Sequence, residues 1–367
     1  MNKKIILYNP TLLKGGLLES NKLLAKGFSN RGYEIVIIAN RKSDNTIGDF
    51  QHYYLNAGDI VRPFKLKRLI EEIKPIAVFS NMLPQNISLS LAKSIAGKNL
   101  YTRYFGIVRT SSSHLVYGKF YKLPYRFFVK RMYSNLDKII AVSTTTKMDL
   151  MKTFFLEERN IEVIHNPIDF EVINRLKEEP LSDYERKLFS GQTLLYVGRF
   201  NREKRLDLLL KVFYKVKSKI PEVKLIIVGD GEEKLKLVKM IGDLNLNNSA
   251  YILPFTRNPF KYMKHATLTV FTSHNEGFPR VVIESLACNT PVVAYINDYS
   301  GHIDIIEDGK NGFLVPFDNE NELVNKILIL LKNEKIYNSF VKNSLPSIRK
   351  FSLENVIDKF IKLINMS

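Results

Sequence analysis

Short apolar runs separated by helix-length amphipathic segments recur along the whole chain. In the first half these runs are KIILYN, YEIVIIAN, IAVFSN, NLYTRYFGI, KIIAVS and IEVIHNP. In the second half they are TLLYVGR, VKLIIVGDG, SAYILPF, LTVFTS, TPVVAY and GFLVPF. Strands rich in Val and Ile that alternate with helices are typical of parallel βαβ units. The pattern therefore predicts an α/β protein with two doubly wound, Rossmann-like domains of six strands each.

A segment without a strand pattern, residues 166–192, separates the two series of runs. We predict a first domain over residues 1–170, a second over 171–348, and a C-terminal segment over 349–367. Ser352 is a suitable helix start in that last segment. Apolar residues follow it at helical spacing, namely Val356, Ile357, Phe360, Ile361 and Ile364. The segment is therefore predicted to form an amphipathic helix that packs back on the first domain.

Length and composition narrow the class of protein. A chain of 367 residues fits two domains, and 45% apolar with 25% charged residues is typical of a globular protein. No apolar run approaches the ~20 residues that a membrane-spanning helix needs. The first residues, MNKKIILYNP, are too short in apolar positions for a signal peptide, so we expect a cytoplasmic protein. Cys288 is the only cysteine, which excludes an internal disulfide or a cysteine metal cluster.

The net charge of +18 is concentrated in the first domain. Residues 1–150 carry 24 Lys and Arg against 9 Asp and Glu, whereas residues 151–367 carry 31 against 28. Such a surplus on one domain indicates an anionic partner, either nucleic acid, anionic lipid headgroups or a lipid-linked diphosphate. No nucleic-acid-binding motif accompanies it, so we expect no nucleic acid partner.

Two basic segments of the first domain combine cations with aromatic residues. Residues 117–133, YGKFYKLPYRFFVKRMY, hold seven aromatics and five cations without an acid, and residues 62–68 are similar. Segments of this kind bind among anionic headgroups. They predict peripheral association with the inner face of the plasma membrane. The alternative, that these aromatics pack into the first domain, stays open.

Two loops that follow predicted strands carry residues suited to anion binding, and in open α/β sheets ligands bind beyond the carboxyl ends of strands. Gly15 and Gly16 follow the first strand and precede a helix, where the backbone can approach a ligand closely, although a plain turn is the alternative. Four cations follow the LLYV strand, namely Arg199, Arg202, Lys204 and Arg205. Cations at a helix N-terminus oppose its dipole unless an anion is bound, and solvated surface cations are the alternative.

The stretch SHNEGFPRVVIESLACNTPVVA places two carboxylates around a helix start. Pro279 suits the first helical position, so Glu276 lies in the preceding loop and Glu284 lies about a turn and a half inside the helix. Such a construction can hold sugar hydroxyls with its carboxylates and a diphosphate with the free helix N–H groups. Both acids lie near the cations at 199–205 if the two loops are neighbours. One capping acid and one solvated acid is the alternative.

These motifs resemble those of the retaining glycosyltransferases of family 4, which have the GT-B fold, two Rossmann-like domains facing a central cleft. The most specific match is E-G-F-P-x-x-x-x-E, from Glu276 to Glu284, which fits the family's E-x(7)-E signature. Further segments match in the expected order, namely IHNPID, YVGRFNREKRLDLLL, IIVGDGEEKLKL and TPVVAYINDYSGHIDIIEDGKNGFLVPFDN. The second half is most similar to bacterial surface-polysaccharide transferases.

The resemblance implies roles for particular residues. Arg199 and Lys204 would bind the donor diphosphate and stabilise the leaving group. Glu276, with the backbone of Gly277 and Phe278, would hold the transferred sugar. The remaining donor contacts would come from the backbone of Arg280 and Val281 to the phosphates, Glu284 to the ribose, and Gly16 in the loop that closes over the donor.

Two residues of the first domain are weaker candidates. Many family members place a histidine near the donor sugar, and His114 is the nearest candidate here, although a plain loop histidine fits its spacing equally well. Arg109, in the same loop, is a candidate contact to the acceptor or the donor.

The resemblance also implies the reaction. A hexose or N-acetylhexosamine would pass from a nucleotide sugar, first of all a UDP-sugar, to a lipid-linked or polysaccharide acceptor of the cell envelope, such as lipopolysaccharide or capsule. The anomeric configuration would be retained, and no metal or other cofactor would be required. The alternatives are a nucleotide-sugar epimerase or phosphorylase with two similar domains, and a non-catalytic partner subunit. Intact Arg199, Lys204, Glu276 and Glu284 argue against the non-catalytic alternative.

Overall fold

The computed structural model describes residues 3–13, 15–97, 101–111 and 122–366. The chain forms two compact units. Unit 1 comprises Met1–Pro167 and Phe351–Ser367, and unit 2 comprises Ile168–Lys350. The chain therefore passes from unit 1 into unit 2 and back again, with crossings near the positions at which the sequence suggested domain boundaries.

Unit 1 is built on a seven-stranded parallel sheet in the order β3-β2-β1-β4-β5-β6-β7. Its strands are β1 (Lys4–Asn9), β2 (Glu34–Ala39), β3 (Gln51–Tyr54), β4 (Ala77–Asn81), β5 (Arg103–Val108), β6 (Lys138–Ala141) and β7 (Ile161–Val163). The helices between them are α1 (Gly16–Asn30), α2 (Arg62–Ile73), α3 (Leu83–Ala96), α4 (Lys122–Ser134) and α5 (Thr144–Phe154). The order reverses at β1, as a doubly wound sheet requires.

All six strands predicted for this half are present. The prediction of six was wrong, because the sheet has a seventh strand, β3. The sequence QHYY, which forms β3, has no Val or Ile, and its residues are exposed or only half-buried. It pairs with β2 at the edge of the sheet. Inner parallel strands are buried on both faces and read as continuous apolar runs, whereas an edge strand does not need such a run.

Unit 2 is built on a six-stranded parallel sheet in the order β10-β9-β8-β11-β12-β13, and all six strands coincide with predicted runs. They are β8 (Thr193–Val197), β9 (Lys224–Val228), β10 (Ala250–Leu253), β11 (Leu268–Phe271), β12 (Val292–Ile296) and β13 (Gly312–Pro316). The helices are α6 (Phe170–Leu176), α7 (Asp183–Leu188), α8 (Leu206–Lys217), α9 (Lys234–Asp243), α10 (Phe260–His265), α11 (Arg280–Ala287), α12 (Glu320–Lys332) and α13 (Glu334–Ile348). Both units thus have the predicted Rossmann-like architecture.

The last helix, α14 (Leu353–Asn365), belongs to unit 1 and packs on α1. Ser352 caps it, because its side chain accepts a hydrogen bond from the Asn355 backbone N–H. The ring of Phe360 packs edge-on against Phe28 of α1 at 5.8 Å between centroids. A Cβ at Gly27 would lie 2.3 Å from the side chain of Ile357, so only glycine lets the two helices approach this closely.

No helix within the described part of the chain is long and apolar enough to span a bilayer.

Candidate functional site

The two loops singled out in the second half of the sequence lie at the switch point of the unit 2 sheet. Strand β8 has β9 on one side and β11 on the other, and all three strands are parallel. The β8 loop (residues 198–205) and the β11 loop (residues 272–279) therefore leave the same sheet edge from adjacent strands. This is where ligands bind in open α/β sheets.

Three hydrogen bonds to backbone carbonyls join these loops. The backbone N–H of His274 donates to the Glu203 carbonyl at 2.8 Å. The hydroxyl of Thr272 donates to the Arg205 carbonyl at 2.9 Å and to the Lys204 carbonyl at 3.1 Å. The position of one loop thus fixes the position of the other.

Lys204 and Glu276, 72 positions apart in sequence, form an ion pair between the loops. Their side chains are only 21% and 15% exposed. Partial burial weakens solvent screening, so this pair is stronger than a pair on the open surface. The structure therefore brings together two of the residues that the sequence predicted for one site.

The other cations of the β8 loop differ from one another. Arg202 lies 3.6 Å from Glu233, and Arg205 pairs with Asp207 at 3.0 Å. The expected conflict with a helix dipole is reduced, because Arg202 and Lys204 lie in a 3₁₀ turn before α8 and Asp207 pairs with Arg205 at the helix start. Arg199 is exposed and forms no ion pair with any residue that the structure describes. Its guanidinium is available to an anion at this sheet edge.

Helix α11 begins at Arg280, one position after the predicted start, with Pro279 preceding its first turn. Gly277 and Phe278 are buried before it, and Val281 is half-buried in its first turn. Glu284 lies one turn further on, with its carboxylate 3.5 Å from the Arg280 guanidinium. Glu276 therefore precedes α11 and Glu284 lies within it, each beside a cation.

Residues 297–302, which lie in one of the family-like segments but had no predicted role, support the β11 loop. The Gly301 backbone N–H donates to the Glu276 carbonyl at 2.7 Å, and Asn297 donates its side-chain amide to the His274 carbonyl. A Cβ at Gly301 would lie 2.1 Å from the Gly277 carbonyl oxygen. We call residues 297–302 the buttress, because they hold the backbone of Glu276 and Gly277 in place.

Several buried polar atoms around these segments have no hydrogen-bond partner among the described residues. They are Asn201 Oδ1, Ser273 Oγ, Arg280 Nη1 and both ring nitrogens of His302. Buried polar atoms are nearly always paired in folded proteins. Such atoms occur in both loops, in the first turn of α11 and in the buttress, so buried polar groups are concentrated at this edge of the sheet. Only burial distinguishes His302 from an ordinary turn histidine, which is why no sequence pattern singles it out.

Burial lowers the pKa of His302 to about 4, while Glu276 raises that pKa and Lys204 lowers it. Because the ordinary value is about 6.5, the unfolded chain binds a proton below that pH while the folded chain does not. The contribution of His302 to the free energy of unfolding should therefore be complete above pH 6.5 and decrease as the pH drops toward 4. We expect thermal unfolding of a His302→Leu variant, followed by circular dichroism between pH 7 and 5, to show a shallower loss of melting temperature. An unchanged slope would contradict this assignment.

The predicted residues of the first domain lie in unit 1. Gly16 is the first residue of α1, is exposed, and has open space where a Cβ would stand. His114 lies outside the described residues, so its role stays a prediction.

Arg109 follows β5 and is oriented by asparagines. Its Nε donates to Asn81 at 2.8 Å, Nη1 to Asn166 at 2.5 Å, and Nη2 to Asn21 at 3.4 Å. Asn81 and Asn21 also donate to Asn9 at 3.0 and 2.6 Å. These amide oxygens orient the Arg109 guanidinium at the carboxyl end of the unit 1 sheet.

Two family models match consecutive parts of the chain. The model described as Glycosyltransferase Family 4 matches residues 14–172, and Glycosyl transferases group 1 matches residues 185–345. The chain belongs to the family 4 glycosyltransferases. Its two Rossmann-like units are those of the GT-B fold class, and the protein is a glycosyltransferase.

Individual relatives extend the comparison. The chain is 29% identical over 340 residues to an uncharacterized glycosyltransferase of Methanocaldococcus jannaschii, covering 83% of this chain and 82% of that protein. It is 29% identical over 255 residues to the N-acetylgalactosamine-N,N'-diacetylbacillosaminyl-diphospho-undecaprenol 4-alpha-N-acetylgalactosaminyltransferase of Campylobacter jejuni, covering 70% of this chain and 67% of that one. The crystal structure of Anabaena HepE in complex with UDP shares the fold, with a TM-score of 0.82, 18% identity and 98% coverage of both chains.

Proposed function

We propose that this glycosyltransferase moves a hexose or N-acetylhexosamine, with retention of configuration, from a UDP-sugar to a lipid-linked or polysaccharide acceptor in cell-envelope glycan biosynthesis. The observation that carries the proposal is the Lys204–Glu276 ion pair between two loops at the switch point of the unit 2 sheet. The relatives named above support the substrate classes, since one acts on a diphospho-undecaprenol acceptor and the HepE structure holds UDP.

The donor would occupy the β8 and β11 loops. In the proposed step, the bond between the anomeric carbon and the diphosphate oxygen breaks, and the acceptor hydroxyl attacks the same face of the sugar. The acceptor proton passes to the departing phosphate oxygen. Arg199 and Lys204 stabilise the charge that grows on the diphosphate, as fixed cations do in other sites. Glu276 accepts hydrogen bonds from sugar hydroxyls and orients Lys204, and Glu284 holds the ribose.

Catalysis without a metal or other cofactor is part of the proposal. Arg199 and Lys204 of the β8 loop supply the positive charge that a divalent ion would otherwise bring to the leaving group. Turnover should therefore persist in excess EDTA, and its loss on chelation with recovery on adding Mg²⁺ would contradict this part.

The experiment that tests the function is a donor screen followed by turnover. UDP- and GDP-sugars are ranked by the rise in melting temperature that each produces, since a ligand that binds only the folded state stabilises it. Release of nucleoside diphosphate is then measured with and without a lipid-linked acceptor. Acceptor-dependent release supports the transferase, whereas stabilisation without release favours a non-catalytic partner subunit. Interconversion of free nucleotide sugars would favour an epimerase.

Glu284→Ala provides a test of the donor site. We expect this variant to fold and to lose most donor binding, with the dissociation constant of UDP rising at least tenfold, because a carboxylate bonded to ribose hydroxyls is worth about 1.5–3 kcal/mol. Calorimetric titration with UDP measures it. Glu307→Ala, which removes an exposed acid paired with Lys310 in the same unit, is the control and should bind UDP normally. Equal affinity in the two variants would refute the ribose role of Glu284.

Peripheral membrane binding is proposed for the basic unit 1. Helix α4 carries no acid among its cations, and Phe127 and Phe128 on it are 54% and 44% exposed. Tyr133 of the same helix is buried in the core, so the aromatic residues divide between the two predicted roles. We expect co-sedimentation with anionic liposomes at low salt that weakens as salt is added. Absence of binding at low salt would contradict the membrane part alone.

A further inference from the structure

Helix α3 buries polar residues beside the apolar Leu89 and Ala92. Its buried face includes Gln85, Asn86 and Ser90. Asn86 donates to the Ile107 carbonyl and accepts from Ser80, so these polar groups are satisfied toward the sheet. An amphipathic helix normally turns its apolar stripe inward. The packing of unit 1 therefore does not fully use the apolar residues of this helix.

Those apolar residues form a continuous stripe along the helix. Leu83, Ile87, Leu91 and Ile95 are spaced by four along α3, and they are half-buried or, for Ile95, 42% exposed. At about 1.5 Å per residue the stripe is about 18 Å long. The exposed part of this stripe, around Ile95, is a candidate interaction surface.

The stripe is one wall of a groove of about 510 Å³ between α2 and α3, with Tyr125 of α4 also lining it. The opposite wall includes Ile60 and Phe64, which are 85% and 56% exposed. Among the lining residues that the structure describes, Asp59 is the only acid, and it is paired with Arg62 at 2.6 Å. The groove is therefore mostly apolar, and a hydrocarbon chain is a suitable occupant.

The helices that line the groove also carry cations. Helix α2 bears Lys65 and Arg68 at exposed positions, and α4 bears Lys130 and Arg131 in a segment without an acid. The groove lining itself includes no cation, so an apolar chain with an anionic head would place the chain in the groove and the head outside it, toward the cations of α2 and α4.

We propose that the α2–α3 groove binds the hydrocarbon chain of a lipid-diphosphate acceptor. This rests on the proposed function, because it names the part of unit 1 that recognises the lipid of the acceptor. If the protein binds the hydrocarbon chain in addition to the sugar, it selects a lipid-linked acceptor over a free polysaccharide.

The test is calorimetric titration of the full chain with farnesyl diphosphate, without donor or detergent. We expect farnesyl diphosphate to bind. Inorganic diphosphate should bind at least tenfold more weakly, because it lacks the hydrocarbon chain that makes the apolar contact. Ile87→Asn and Leu91→Asn should each weaken binding at least fivefold. Met148→Asn, at a 59% exposed position of α5 outside the groove, is the matched control and should bind normally. Melting temperatures establish that each variant folds.

The outcomes separate this proposal from the transferase proposal. Unchanged farnesyl diphosphate binding in both groove variants would overturn the groove, even if glycosyl transfer is observed. Conversion of a dimer to a monomer by the groove variants would also overturn it, because the groove would then bind a second copy. Groove-dependent binding in a protein that releases no nucleoside diphosphate would support the groove and count against the transferase function.

Discussion

Replacement of Glu276 by glutamine should lower the turnover number by about 10²–10³, the loss found when one preorganised group is removed from a site that stabilises developing charge. The amide keeps the shape of the side chain but leaves Lys204 without its counter-charge between the two loops. The ammonium can then shift away from the leaving diphosphate, and the sugar hydroxyls lose a charged acceptor. Steady-state release of nucleoside diphosphate, measured at saturating donor, gives the change in turnover number.

A surface pair in the same unit provides the control for Glu276. Glu320 pairs with Lys215 at 2.7 Å, at the start of α12 and outside the β8 and β11 loops. Glu320→Gln should leave turnover unchanged. Equal turnover in Glu276→Gln and the unmodified protein would contradict the role given to the ion pair.

Replacement of Gly301 by alanine should lower kcat/KM for the donor by about 10², because displacements of about 1 Å in a positioning element have effects of that size. The new methyl group would stand 2.1 Å from the Gly277 carbonyl and 3.2 Å from the Phe278 Cα. Both contacts are to backbone, so the β11 loop must move, and the Glu276 carboxylate must move with it. Kinetics over a range of donor concentrations measure the loss.

Gly242→Ala is the matched control for Gly301. Gly242 lies in α9, and no neighbouring atom lies within 4 Å of the position that a Cβ would occupy, so alanine meets no clash there. It should raise stability by about 0.5–1 kcal/mol, since glycine disfavours helix, and leave kinetics unchanged. Normal kcat/KM in folded Gly301→Ala would show that the buttress does not position the donor site.

Most strands could be predicted because inner parallel strands are buried on both faces and leave continuous runs of Val, Ile and Leu in the sequence. Strand β3 could not, since QHYY at the sheet edge needs no such run. The helix start at Ser352 was predicted correctly because a cap is a local interaction.

The candidate site was only partly predictable, because sequence patterns report local structure and not which loops become neighbours. The sequence located both the β8 and β11 loops, but their adjacency depends on strand order, which spacing does not encode. The sequence therefore predicted that Lys204 and Glu276 lie close together only if the two loops are neighbours. Strands β8 and β11 are adjacent in the sheet, so the loops are neighbours. The burial of His302 and the contact of Gly301 with Gly277 depend on tertiary packing, and no local pattern distinguishes them.

The packing of α14 on α1 affects the order in which the two units fold during synthesis of the protein. Segments on both sides of unit 2 belong to unit 1, so in chain topology unit 2 is an insertion within its neighbour. Domains usually fold in order as the ribosome makes them. Here the apolar face of α1 around Gly27 and Phe28 stays uncovered until residues 353–365 emerge from the ribosome. The first unit to be started is therefore the last to be finished, and unit 2 can complete its fold in the interval.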